Sequence, residues 1–136
     1  MKKELLFMMT LLLLIFTRCG KEEQNSRFDM LTGVTWASDS LLVNGADAGN
    51  PGQLLYKFRG DAKFNADGTG TFGKYSGKWW FTESQTQLVI SSDSLALPLT
   101  TLITELTPQS LKVNTQVPDI TNFQNLLNVR LTFKAK

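Results

Sequence analysis

The sequence predicts an all-β domain: an antiparallel up-and-down meander of about eight strands that closes into a β-barrel. Apolar and polar residues alternate with period two from Leu31 onward, with β-branched and aromatic residues common. Turn-forming residues recur roughly every eight to fifteen positions, which leaves strand-length runs between tight turns. A long meander with two free edges removes them by curling until the first and last strands meet.

The chain starts before that domain with Lys2 and Lys3, followed by a run from Leu5 to Phe16 that is apolar apart from Thr10. About twelve apolar residues are too few to cross a bilayer, which takes about twenty, but they suit the centre of a secretory signal. Residues 1–18 are therefore read as a signal peptide. Cys19, the single cysteine, follows directly, and the arrangement resembles the acceptor site of bacterial lipoprotein processing. Phe16 and Arg18 depart from the usual leucine and small residue of that cleavage box. A free exposed thiol in an oxidising envelope is a liability that acylation removes. Residues 19–30 are read as the lipidated cysteine and a flexible tether, since Gly20 to Asp29 is almost wholly polar. Its ten residues reach at most about 35 Å. Lys21-Glu22-Glu23 resembles the export tag of surface-displayed lipoproteins in Bacteroidota-type bacteria.

Residues 31–136 form the expected barrel domain. The expected strands run from Trp36 to Val43, Tyr56 to Asn65, Thr69 to Tyr75 and Lys78 to Thr82. Leu88 and Ile90 mark the next, followed by Leu99 to Leu106, closed by Thr107-Pro108-Gln109-Ser110. Leu111, Val113 and Val117 alternate with polar residues, as do Val129, Leu131 and Phe133 in the last strand. Between these two, Ile120, Phe123 and Leu127 fall three and four apart behind Asp119, a candidate N-cap, so a short helix is expected before the last strand.

The formal charge of +2 belongs to the leader. Lys2, Lys3, Arg18 and Glu4 leave with it, and the remaining acids and bases balance, so the mature chain lacks the basic footprint of a nucleic-acid binder. The chain has no histidine. This excludes Ser-His-Asp and Cys-His nucleophile systems, histidine zinc sites and histidine acid–base catalysis. Only scattered carboxylates such as Asp61 with Asp67 or Glu105 remain for an enzyme; no catalytic residue, cofactor or metal is assigned. Asn65-Ala66-Asp67-Gly68-Thr69-Gly70 has the look of a calcium loop, but Lys63 and Lys74 would hold its first and last ligand places, where a hard cation needs carboxylates. Asp67-Gly68 reads instead as a tight hairpin turn.

Trp79 and Trp80 are adjacent on one strand and point to opposite faces. Trp79 with Phe81 suits the interior. Trp80 is the candidate surface contact, either free or under the segment from Ile120 to Leu127. Asp39-Ser40-Leu41 and Asp93-Ser94-Leu95 match the short pattern resembling O-glycan acceptors of the same bacteria, with Ser40 and Ser94 as acceptors.

Leu31-Thr32-Gly33 before Trp36, the run Phe64 to Phe72, Gly77-Lys78-Trp79-Trp80-Phe81 with Leu88, and Ile103 with Leu106 to Leu111 together resemble the small lipocalin-like domain of Bacteroidota lipoproteins. The similarity spans residues 31 to 134. It implies a calycin-type barrel, and a basic residue of the last strand packed on the first-strand tryptophan; Arg130 is the candidate. True lipocalins have Gly-x-Trp on the first strand, whereas here one extra residue separates Gly33 from Trp36.

The expected protein is a monomeric, non-enzymatic outer-membrane lipoprotein of the cell envelope, held to the membrane through lipid on Cys19. Its interior would be lined by Trp36, Phe64, Phe72, Trp79, Ile90, Ile103, Leu111, Val113, Leu131 and Phe133. An eight-stranded barrel either holds one small ligand or fills itself with side chains. A small apolar ligand and a partner protein of the envelope are the two binding alternatives, the second suiting an accessory or inhibitory lipoprotein with a filled core.

Overall fold

The computed structural model describes residues 19–136, with side chains from residue 26 onward. The expected signal peptide, residues 1–18, lies outside the described residues, and so does the Cys19 side chain.

Nine strands make one antiparallel sheet: β1 (Thr35–Val43), β2 (Ala46–Asp47), β3 (Asp61–Phe64), β4 (Thr69–Phe72), β5 (Tyr75–Thr82), β6 (Gln87–Ser92), β7 (Leu99–Leu106), β8 (Ser110–Asp119) and β9 (Asn122–Ala135). β9 returns to β1 in a register running from Trp36–Ala135 to Val43–Val129. That pairing closes an eight-stranded barrel, with β2 a two-residue addition to β1. The up-and-down meander expected from the alternation is the architecture that forms.

Three local expectations are corrected. First, where a flexible tether was expected over residues 19–30, the backbone forms an α-helix, α1 (Cys19–Thr32). Its first turns carry good helix formers without an apolar stripe. What holds it lies in its last two turns, where Phe28 and Leu31 are three apart and share a face. Leu31 is fully buried, and the Phe28 ring lies 5.8 Å from that of Trp79. Arg27 Nε donates to Gln85 O at 3.2 Å, and Lys63 Nζ donates to Thr32 O at 3.2 Å.

Second, Tyr56 to Asn65 divides into a 3-10 turn (Tyr56–Phe58) and β3, which begins only at Asp61. Phe58 is drawn into the core against Tyr75, ring centroids 4.8 Å apart. The next hairpin turns at Gly73-Lys74, so Tyr75 opens β5 rather than ending β4. Gly73 sits at φ +63°, and a Cβ there would strike the Lys57 carbonyl.

Third, no helix precedes the last strand. Ile120 and Thr121 are the turn of a long β8–β9 hairpin, in which Val117 pairs with Leu127 and Pro118 with Leu126. Asp119 caps that turn rather than a helix: its Oδ1 accepts from Thr121 N at 2.8 Å and Thr121 Oγ1 at 2.6 Å. The helical spacing of Ile120, Phe123 and Leu127 has no surface to pack on, since Ile120 and Phe123 are each 78% exposed.

The core occupies the barrel and is closed at both ends. α1 covers the end that carries the β5–β6 turn, through Phe28 and Leu31. The segment following β2 covers the other end, through Leu55 and Phe58. Gly70 and Gly77 face each other across β4 and β5, and a Cβ on Gly70 would meet the Phe72 ring. The sheet gives up two side chains there to admit the rings of Phe64, Phe72 and Trp79.

Candidate functional site

Strand register decides which side chains face inward. Trp36, Ala62, Phe72 and Tyr75 lie in one cross-strand row; Ile103, Val113, Leu131 and Leu41 lie in another. Nine of the ten interior residues expected from sequence are buried in a single core cluster: Trp36, Phe64, Phe72, Trp79, Ile90, Leu111, Val113, Leu131 and Phe133. Ile103 is half-buried against it. Phe64 meets Trp79 edge-on at 5.7 Å and Phe72 at 5.2 Å, and Trp79 meets Phe81 edge-on at 5.4 Å. The indole N–H groups are satisfied by carbonyls, Trp36 on Leu31 O at 3.0 Å and Trp79 on Asn65 O at 2.9 Å. The interior is therefore a packed, hydrogen-bonded aromatic core.

Trp80 points outward across from Val89 and is 41% exposed. Arg130 does not pack on Trp36. Trp36 pairs with Ala135, whereas Arg130 pairs with Leu42 and Asn114, on the face opposite the core. The alternation that places Val129 and Leu131 inside sends Arg130 out.

That outward placement builds something else. Gln87, Leu102, Asn114, Arg130 and Leu42 form one continuous cross-strand row over β6, β7, β8, β9 and β1. They line an open depression of about 970 Å³, together with Thr100, Gln116 and Asn128 among others. Its lining includes no Asp, Glu, Lys or aromatic residue. None of the ten expected interior residues borders it, although buried Thr101 and Val129 reach it between the outward positions. Arg130 forms no ion pair or side-chain hydrogen bond among the described residues. Asn114 Oδ1 is buried without a hydrogen-bond partner. No protein-family model matches this chain, and no curated protein matches it either.

The β8–β9 hairpin is a second feature. The last β7–β8 pair at this end is Leu102–Asn114, and the last β1–β9 pair is Val43–Val129. β1 leaves at the Asn44-Gly45 turn after one further exchange, in which Asn44 N donates to Asn128 O at 2.8 Å and Asn128 N to Asn44 Oδ1 at 3.0 Å. Residues 116–127 are then a two-stranded ribbon, paired with each other. Its β8 side carries Pro118 and Asp119, which discourage strand addition; residues 122–127 on β9 carry neither charge nor proline. Ile120, Phe123 and Leu126 are exposed on this ribbon.

The carboxylates considered for catalysis are separately engaged. Asp61 Oδ2 pairs with Lys136 Nζ at 2.9 Å. Asp67 Oδ1 accepts from Thr69 N and Oγ1 at 2.9 and 2.7 Å, which holds its carboxyl below the usual range. Glu105 accepts from Ser110 Oγ at 2.6 Å and pairs with Lys112 at 3.3 Å, with the same effect. The Asn65–Gly70 segment is a hairpin turn with Gly68 at φ +87°, and the described residues contain no cluster of three metal-ligating side chains. Of the two glycan acceptors, Ser94 is exposed in the β6–β7 turn, while Ser40 is half-buried within β1 opposite Thr132.

Sequence reasoning named Arg130 for another role and passed over Gln87 and Asn114. A signal was present. The outward positions of β8 and β9 include Asn114, Gln116 and Asn128, neutral amides where a solvated sheet face commonly carries charges. Which of them sit side by side depends on register.

Proposed function

We propose that the chain is a non-enzymatic, lipid-anchored envelope protein of the lipocalin-like Bacteroidota lipoprotein type, and that its barrel serves as an interaction module rather than a carrier. The packed interior carries this reading: aromatic rings occupy the space a ligand would need, and Leu31, Leu55 and Phe58 close both ends. The lipid on Cys19 moors the module. α1 then sets that cysteine roughly 13 Å along its axis from Phe28, where the helix meets the barrel. The β8–β9 ribbon lies at the opposite end of the barrel from α1, and its partner is an extended segment of another envelope protein. That segment adds as a strand beside residues 122–127, in the lane that β1 vacates at Asn44. Main-chain hydrogen bonds supply the affinity, and the exposed Phe123 and Leu126 supply side-chain contacts.

The test is cross-linking in intact envelopes from a photoreactive residue at Gln124, followed by identification of the cross-linked peptide. One defined partner segment, lost when Leu126→Lys charges the edge, is expected. Cross-linking that is unchanged by Leu126→Lys would remove the edge from the interface. Native mass spectrometry that finds a retained apolar molecule would restore the carrier reading.

A further inference from the structure

The outward depression, which adjoins the ribbon at Gln116 and Asn128, carries an inference of its own. It offers one guanidinium, Arg130, unpaired among the described residues, beside the amides of Gln87, Asn114 and Asn128 and the hydroxyl of Thr100. Gln87 Oε1 already accepts from Thr82 Oγ1 and Asn128 Oδ1 from Gln116 Nε2, which leaves the NH2 groups of Gln87 and Asn128 to donate. Leu42 and Leu102 flank these with apolar surface. A volume of about 970 Å³ falls within the roughly 300–1,000 Å³ of small-molecule sites.

The chemistry of the lining selects the ligand. A planar guanidinium recognises a carboxylate through two parallel hydrogen bonds. Hydroxyl groups pair with side-chain amides as donor and acceptor at once. The C–H faces of a sugar ring rest on leucine side chains. No aromatic ring is present in the lining to stack a nucleobase, and no second cation is present to share the double charge of a phosphate. Asn114 Oδ1 is a buried acceptor without a donor. Such an atom is costly to leave unsatisfied.

We propose that this depression binds an oligosaccharide carrying a carboxylate, with Arg130 taking the acid group and Asn114, Gln87 and Asn128 taking the ring hydroxyls. The geometry requires no covalent step; the site recognises and holds.

The experiment is calorimetric titration of the full-length protein in detergent with tri-galacturonic acid. Its methyl ester, which keeps the hydroxyls and loses the charge, and inorganic phosphate serve as comparison probes. Saturable binding of the free acid is expected, weakened at least tenfold by methylation. Arg130→Gln should weaken it at least tenfold as well, while Lys78→Gln, on an exposed position away from the depression, should leave it unchanged. Equal affinity for acid and ester would overturn the role of Arg130 even if the variant failed to fold. Competition by millimolar phosphate, or no binding of the acid at millimolar concentration, would overturn the saccharide assignment.

Discussion

The indole N–H of Trp36 donates to the carbonyl of Leu31 across 3.0 Å, and both residues are fully buried. This single bond ties the end of α1 to the first strand of the barrel, so the helix and the core are parts of one packed unit. Trp36→Phe keeps most of the apolar volume and strands the carbonyl. It should destabilise the fold by about 1–3 kcal/mol, and Trp36→Ala by about 3–5 kcal/mol through the added cavity. Urea unfolding measures both; an unchanged midpoint for Trp36→Phe would show that the bond contributes nothing.

Gly77 stands where a side chain cannot fit, because its Cβ would strike the Ser91 carbonyl on the neighbouring strand. Gly77→Ala should therefore force β5 and β6 apart and lower the melting temperature sharply. Ser76→Ala, one residue away on the exposed face, should change stability by no more than about 0.5 kcal/mol. Circular dichroism melts of the two variants side by side decide the matter, and equal melting temperatures would contradict the packing described.

Asp67 and Asp119 share one device: each carboxylate is held by the hydroxyl and the backbone N–H of a threonine two residues on. Both carboxyls titrate below the usual range for that reason. A depressed folded pKa stabilises the fold above the ordinary carboxylate value of about 3.9, and the contribution disappears as pH falls through the lowered value. Thr69→Val should raise the Asp67 midpoint toward the ordinary range while leaving Asp119 untouched. Carboxyl-detected NMR titration would refute this if the Asp67 midpoint stayed in place.

Phe123 is 78% exposed on the β8–β9 ribbon and lies outside the core cluster. Phe123→Ser should therefore leave folding stability within about 0.5 kcal/mol of wild type. Loss of strand addition with unchanged stability is the expected pair of results. A drop of several kcal/mol in denaturant unfolding would instead assign Phe123 to the core.

Cys19→Ala should move the protein from the membrane to the soluble fraction or leave its leader attached. A single acyl chain binds membranes only marginally, and stable anchoring requires more than one. Fractionation together with metabolic palmitate labelling reads this directly; normal membrane retention of the variant would contradict lipid anchoring.

The all-β class, the strand order and the inward set from Trp36 to Phe133 were legible because alternation along one strand is a local property. Val129, Leu131 and Phe133 must share a face whatever lies beside them. The segments misread were those whose local pattern pointed one way and whose packing went another. α1 has no apolar stripe in its first turns, and it is held through Phe28, Leu31 and the Trp36 indole. Ile120, Phe123 and Leu127 carry helical spacing, yet β8 and β9 offer each other a full set of main-chain hydrogen bonds and no core is near enough to reward a helix.

Sequence alone determined the apolar run that precedes Cys19, the lack of histidine and the period-two meander, since each is written in neighbouring residues. Tertiary structure decided how Phe64, Phe72 and Trp79 pack against one another, and that Gln87, Asn114 and Arg130 meet in one row. The physical reason is register: residues on three strands become neighbours only once every intervening pair has been set, and no local pattern encodes that sum.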